Sequence, residues 1–388
     1  MALTSDEVAA RVRNAAIFAD DDYNPPAACD WPDGYEALLA ATTKLLKAYP
    51  NVANRLGYSW ATERAAYRTS MDVIFQYHVL ELIADVDPGH PHLVDARPVA
   101  ARAAVNRDFI SYAQPSGDLD FIFVSRGFMD IVQYFLEMSV SIMKLDPSQK
   151  NRISLWGPAN LTKIRTRRPK RVAKIVNDFV LQAIKVARGE TPAQQPSIIR
   201  DLTFMPNLMW ATYDAVGSFV VAHELAHLLR RHDLRDTSLA KELDADRAAI
   251  SLQLARGGTA KRMDGSATIA SLGISLGGPT FYALGGLYYL ISALAHWTRG
   301  EPIKPYQEKL AHLKVRWDQY RQYLADQSSL SGYPDITPIL HKNAAGVYQI
   351  ASLCAEGLNS YSKQFSLEAH GKEVPFMPEG FFEGFWGK

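Results

Sequence analysis

The string His223-Glu224-Leu-Ala-His227 is the part of this sequence that points most directly to chemistry. Apolar residues on both sides predict a helix, and helical positions i and i+4 lie on the same face. Both imidazoles can therefore bind one metal ion, while Glu224 faces a water molecule held by that ion. The apolar surroundings indicate burial, and buried ionisable groups without a metal partner would be costly. The string thus favours a catalytic metal site over polar residues on a solvated helix face.

A second string, Glu242-Leu-Asp-Ala-Asp246, begins fifteen residues after His227 and also has a helical context. A carboxylate on a second helix supplies the third protein ligand of a catalytic zinc site and leaves the fourth position for water. Glu242 is the predicted ligand, and His232, just beyond the first helix, is the alternative. Asp246 lies one turn after Glu242 and is predicted to accept a hydrogen bond from a ligating histidine, with His223 as the first candidate.

These residue types have complementary roles in hydrolysis. Two neutral imidazoles and one carboxylate leave a zinc site net positive, so a bound water molecule ionises at about pH 7. Glu224 is the predicted general base, which takes the proton as the water attacks a carbonyl and passes it to the leaving amine. Ala245 has a side chain small enough for the two helices to approach closely at the metal. The prediction is one Zn²⁺ per chain, held by His223, His227 and Glu242.

Together the two strings resemble the gluzincin metallopeptidases, in which H-E-x-x-H is completed by E-x-x-A-D on a following helix. A third element, Asn106, then Gly117, then Ile122-Phe-Val124-Ser-Arg-Gly127, resembles the region before the active-site helix in CAAX-prenyl-protease-like peptidases. The resemblance implies that residues 121–125 form an edge strand lining the cleft. A peptide substrate would add to this strand through backbone hydrogen bonds near Ile122 and Val124.

Those peptidases are often membrane proteins, whereas this chain lacks their clear spans and is more similar to the soluble phage-exclusion (Lit-type) peptidases. The resemblance implies a zinc-dependent endopeptidase that cleaves an intracellular protein, with a role in bacterial defence or regulation. One departure concerns the His-Pro and Arg that the family often carries after the long apolar helix. Here the nearest segment has Lys304, Pro305 and Lys309, so the oxyanion-stabilising group is unassigned. Candidates by position alone are His296, Tyr282, Tyr288 and Tyr289.

That departure motivates an alternative from another functional class. The chain would then be a non-catalytic metal-binding sensor or interaction protein that retains the zincin site. An intact Glu224 argues against this alternative, because a purely structural metal site has no use for a base.

The composition restricts the possible partners. The 388 residues include 42 Lys and Arg against 41 Asp and Glu, so no nucleic-acid or membrane-surface partner is expected. The basic stretch 163–171 is predicted to be a solvated helix start. Two cysteines exclude a disulfide framework or a Cys-rich zinc module. Because the first residues do not form a signal peptide, we expect a cytoplasmic protein whose partner is a protein or peptide substrate.

The predicted fold class is α+β and predominantly α, with a zincin-like core, a small sheet, an active-site helix and helical extensions. Helical spacing occurs near 35–46, 71–83, 306–323 and 344–358, and residues 121–125 read as a short strand. The stretch 265–298 carries no charged side chain, but Gly277-Gly278-Pro279 divides it, which favours a buried helix over a membrane span. The predicted segments are an N-terminal helical one (1–98), a catalytic domain (99–300) and a C-terminal helical one (301–388).

Overall fold

A computed structural model describes most of the chain, namely residues 3–15, 32–67, 69–84, 97–104, 110–145, 158–188, 206–232, 238–264, 276–330 and 337–370. In these ranges the protein is predominantly helical with one small sheet of three strands, which confirms the predicted balance of helix and strand. Asn106, part of the third predicted element, lies outside the described residues.

The contacts within the chain divide it into two units. The first comprises Met1–Arg126 and Gly217–Ile274, and the second comprises Gly127–Val216 and Ser275–Lys388. Their boundaries fall inside the segment 99–300, so the division into three consecutive segments stays a prediction.

The first unit contains the sheet, the N-terminal helices and the parts of two later helices that carry the motif strings. Its N-terminal helices are α1 (Ser5–Asn14), α2 (Pro32–Ala48), α3 (Pro50–Arg55) and α4 (Ser70–Ala84). Two short 3₁₀ helices at Ser59–Thr62 and Arg64–Ala66 precede α4. The strands are β1 (Val99–Ala104), β2 (Ser111–Gln114) and β3 (Asp120–Ser125).

The sheet has the strand order β1-β3-β2, with β1 parallel and β2 antiparallel to β3. The prediction that residues 121–125 form an edge strand is therefore wrong, because β3 pairs on both sides and lies in the centre. The register places Val124 of β3 opposite Ala103 of β1 and opposite Ser111 of β2. The phenylalanines and β-branched residues of β3 are buried, as expected for a central strand.

Side chains of α4 cover the outer edge of β1. The amide nitrogen of Gln76 donates to the carbonyl of Val99 at 3.0 Å, and its oxygen accepts from the N–H of Ala101 at 3.0 Å. One carboxylate oxygen of Asp72 accepts from the N–H of Ala103 at 2.8 Å. Because these side chains satisfy backbone groups that a neighbouring strand would otherwise use, this edge of the sheet is closed to a further strand.

The second unit is built from long helices. Its helices are α5 (Arg126–Met143), α6 (Pro158–Arg167), α7 (Pro169–Arg188), α10 (Gly278–Trp297), α11 (Lys304–Leu330) and α12 (Thr337–His370). The first residue of α5, Arg126, belongs to the first unit. Helix α10 is buried along most of its length, as predicted. Within the described ranges, no helix combines the length and the apolar character needed to cross a membrane.

Candidate metal centre

Two helices carry the predicted site, and both motif strings lie in the first unit. Helix α8 (Pro206–Leu229) begins in the second unit and ends in the first, and helix α9 (Leu239–Asp264) lies in the first unit. The two motif strings thus lie on helices, as their apolar spacing predicted. Glu242 lies in the first turn of α9, where the positive end of the helix dipole stabilises a carboxylate.

The side chains of His223, His227 and Glu242 converge on one point. Their potential ligand atoms all lie within 4.8 Å of one another. The two Nε2 atoms are 3.2 Å apart. Oε2 of Glu242 lies 3.2 Å from Nε2 of His223, and its Oε1 lies 3.5 Å from Nε2 of His227. The structure therefore brings together the three ligands that the sequence predicted.

The spacing of these atoms fits a zinc ion. Ligands about 2.0–2.2 Å from a tetrahedral zinc lie about 3.3–3.6 Å from one another. The separation of the two Nε2 atoms, 3.2 Å, and the distance from each Nε2 to its nearer Glu242 oxygen, 3.2 and 3.5 Å, are close to that range, with a different carboxylate oxygen nearest each imidazole. The donor set of two imidazole nitrogens and one carboxylate is also one that catalytic zinc sites use, with one position left open.

Asp246 fixes the orientation of the first histidine. Its Oδ1 lies 2.9 Å from Nδ1 of His223, and both side chains are buried. A carboxylate at Nδ1 keeps the proton on that nitrogen and leaves the lone pair of Nε2 directed toward the other two ligands. The spacing of four residues on α9 places Glu242 and Asp246 on the same face, as predicted.

Two further features hold the helices in place. Ala245, between Glu242 and Asp246 in the chain, is fully buried, as expected for a small residue on the inward face of α9. Farther along the helices, the amide of Gln253 donates to the hydroxyl of Ser218 at 3.0 Å, and both side chains are buried. This hydrogen bond in the core joins α9 to α8.

The predicted general base, Glu224, is buried and has a partner that sequence reasoning missed. The hydroxyl of Ser111 on β2 donates to Oε1 of Glu224 at 2.5 Å. Ser111 belongs to no motif and lies 113 residues before Glu224, so no sequence signal identifies it. Its position follows from the register of β2 on β3.

His232 is not one of the three converging ligands. Its Nδ1 lies 2.9 Å from Nδ1 of His227, the ring nitrogen that faces away from the cluster, and its Nε2 lies 3.0 Å from Oδ2 of Asp244. Burial and the neighbouring His227 lower the pKa of His232, while Asp244 acts in the opposite direction. The structure thus places Glu242, not the alternative His232, with the two motif histidines.

The predicted substrate-binding residues lie elsewhere than expected. Ile122 and Val124 are fully buried in the central strand, and the flanking strands occupy both of its sides. An incoming peptide therefore cannot pair with them. Among the oxyanion candidates, His296 contacts the hydroxyl of Tyr306 at 2.8 Å and the carboxylate of Glu301 at 2.6 Å, all within the second unit.

Comparison with known proteins gives no matching family model, and no match among curated proteins or solved structures.

Proposed function

We propose that this protein is a zinc-dependent endopeptidase of the gluzincin type that hydrolyses a peptide bond in a protein substrate. The observation that carries the proposal is the convergence of His223, His227 and Glu242 beside a buried glutamate, Glu224. Three converging ligands and a carboxylate base next to one of them in the chain form the minimal set for metal-assisted hydrolysis.

Four residues of the chain would bind the metal ion or orient a ligand. His223, His227 and Glu242 would hold the ion, and Asp246 holds the ring of His223. When bound, zinc supplies Lewis acidity, which polarises a carbonyl oxygen and lowers the pKa of water.

Glu224 moves the proton. Because Ser111 donates to Oε1, we assign the proton transfer to Oε2. Oε2 takes a proton from the attacking water as the water oxygen bonds to the carbonyl carbon. Glu224 then delivers that proton to the nitrogen as the carbon–nitrogen bond breaks, so that a carboxylic acid and an amine are released.

The sheet favours a peptide as the substrate. The outer edge of β1 is covered by side chains and β3 is central, whereas within the described ranges β2 pairs only with β3. An extended peptide that adds to β2 would form backbone hydrogen bonds that do not depend on its side chains. Ser111 lies on this strand and contacts Glu224, so a peptide bound along β2 would pass close to the proposed base.

The proposal is tested in cells by comparing protein fragments made by the wild type, by Glu224→Gln and by the control Glu356→Gln. Glu356 is an exposed carboxylate on α12 that pairs with Arg165, so it controls for the loss of one negative charge. We expect new fragments with the wild type and the control and none with Glu224→Gln. Identical fragments with all three proteins would contradict hydrolysis and favour a non-catalytic metal-binding sensor.

A further inference from the structure

Helix α8 ends in a turn that requires an unfavourable backbone conformation. The N–H of Arg231 donates to the carbonyl of Leu228 at 3.1 Å, and the N–H of His232 donates to the carbonyl of His227 at 3.1 Å. This pair of hydrogen bonds is the Schellman motif, which places its penultimate residue in the left-handed region. That residue is Arg231, with φ of 53°, where glycine is the usual choice.

The consequence of this turn is the position of His232. The chain folds back at the end of the helix, so the His232 ring lies against the His227 ring, with centroids 5.0 Å apart. Strained backbone of this kind persists only where the surrounding contacts favour it, and it is concentrated at functional sites. The contacts made by His232 are therefore the feature that this turn secures.

The hydrogen bonds around His232 are consistent with only one arrangement of protons when His227 binds metal through Nε2. Nδ1 of His227 then carries the proton and donates to Nδ1 of His232, 2.9 Å away. Since Nδ1 of His232 accepts, its proton is on Nε2, which donates to Oδ2 of Asp244 at 3.0 Å. In this arrangement each N–H donor faces an acceptor, from His227 through His232 to Asp244.

We propose that His232 is a positioning residue for the metal ligand His227, and that Asp244 fixes the tautomer of His232. This inference rests on the proposed zinc site. It gives His227 the support that Asp246 gives His223, through an intervening neutral ring in place of a carboxylate. A metal-binding histidine usually donates its second N–H to such a partner, and losing the partner typically weakens metal binding about 10- to 100-fold.

The test measures zinc affinity by competition with a chromophoric chelator. His232→Leu removes the acceptor and should weaken zinc binding about 10- to 100-fold. His232→Asn keeps an oxygen near the position of Nδ1 and should restore affinity to within about threefold of the wild type. The control His312→Leu removes an exposed histidine of α11 and should leave zinc affinity unchanged.

A second readout follows the protons themselves. Nitrogen-15 NMR of the zinc-loaded wild type should show His227 protonated at Nδ1 and His232 protonated at Nε2. Asp244→Asn should shift the Nε2 signal of His232, because the charged acceptor has been replaced by a neutral one. This spectrum remains informative even if His232→Leu fails to fold.

The outcomes separate this inference from the proposed function. Wild-type affinity in His232→Leu, an affinity in His232→Asn as poor as in His232→Leu, or the opposite tautomer of His232 would overturn the positioning role. Zinc binding with the predicted order of affinities but without cleavage would support the positioning role and overturn the endopeptidase. A wild-type protein that binds no zinc would overturn both.

Discussion

The hydroxyl of Ser111 lies 2.5 Å from Oε1 of Glu224 and joins the edge strand β2 to the helix that carries both motif histidines. This hydrogen bond engages Oε1 of Glu224 and restricts the rotation of its carboxylate. It also marks β2, not β3, as the strand that lies beside the proposed base.

Ser111→Ala should therefore lower the rate of substrate cleavage about tenfold, because a hydrogen bond to a charged group contributes about 1.5–3 kcal/mol and water replaces part of it. Zinc affinity should not change, since Ser111 contacts none of the three ligands. The measurement is the rate at which fragments specific to the wild type appear. Ser360→Ala, in which an exposed serine of α12 loses its bond to a backbone carbonyl, is the matched control. Equal rates for Ser111→Ala and the control would contradict the positioning of Glu224 by Ser111.

Loss of the third ligand, Glu242, should weaken zinc binding more than loss of the negative charge on Asp246, which contacts the ligand His223. Glu242→Ala removes one of three ligands, so we expect the zinc dissociation constant to rise by more than about 100-fold. Asp246→Asn leaves all three ligands in place and should raise it by about 10- to 100-fold. Chelator competition on the purified variants measures both values, with Glu356→Gln as the control. A Glu242→Ala variant that binds zinc as the wild type does would remove Glu242 from the site.

Glu137 on α5 gives a prediction about stability that is independent of the metal site. Its Oε1 accepts from Gln133 at 3.0 Å, whereas its buried Oε2 has no hydrogen-bond partner among the described residues. Burial raises the pKa of Glu137 to about 7, and the hydrogen bond from Gln133 opposes that rise.

Because the pKa of Glu137 is higher in the folded than in the unfolded state, its contribution to stability is complete below its usual pKa of 4.5. The contribution is lost as the pH rises through about 7. Glu137→Gln should therefore melt at a higher temperature than the wild type at about pH 8, with a gain of up to about 3 kcal/mol. The difference should shrink at about pH 5. Thermal melts at both values check this, and a difference that does not depend on pH would contradict it.

The left-handed backbone at Arg231 predicts that glycine is tolerated there better than a β-branched residue. Glycine has no Cβ to clash at a φ of 53°, so Arg231→Gly should keep wild-type zinc affinity and gain up to about 1 kcal/mol of stability. A β-branched residue is strongly disfavoured there, so Arg231→Val should lose about 1–3 kcal/mol and bind zinc less tightly. Thermal melts and chelator competition measure the two effects. Equal stability of the two variants would contradict the role given to this turn.

The sequence predicts the part of the site that depends on helix geometry alone. His223 and His227, and likewise Glu242 and Asp246, are four residues apart, so each pair shares a face once its helix forms. The contact of Asp246 with His223, 2.9 Å long, joins these two faces and depends also on how the helices pack.

The remaining contacts depend on features that local sequence patterns do not encode. Strand β1 is rich in alanine and β2 has only four residues, so neither shows the β-branched pattern that identified β3. The resemblance implies an edge position for residues 121–125, whereas pairing with β1 and β2 makes β3 central and places Ser111 beside Glu224. The contact of His232 with His227 depends on the left-handed backbone of Arg231, a conformation that no glycine marks in the sequence.

The central claim is that Glu224 and the adjacent metal site add water to a peptide bond. Cell extract in water enriched in oxygen-18 should be treated with purified zinc-loaded wild type or Glu224→Gln, and the new carboxyl termini identified by mass spectrometry. We predict carboxyl termini that appear only with the wild type and carry one oxygen-18 atom, while Glu224→Gln retains about one zinc per chain. The same labelled termini in equal amounts with both proteins, or none with either, would contradict the claim.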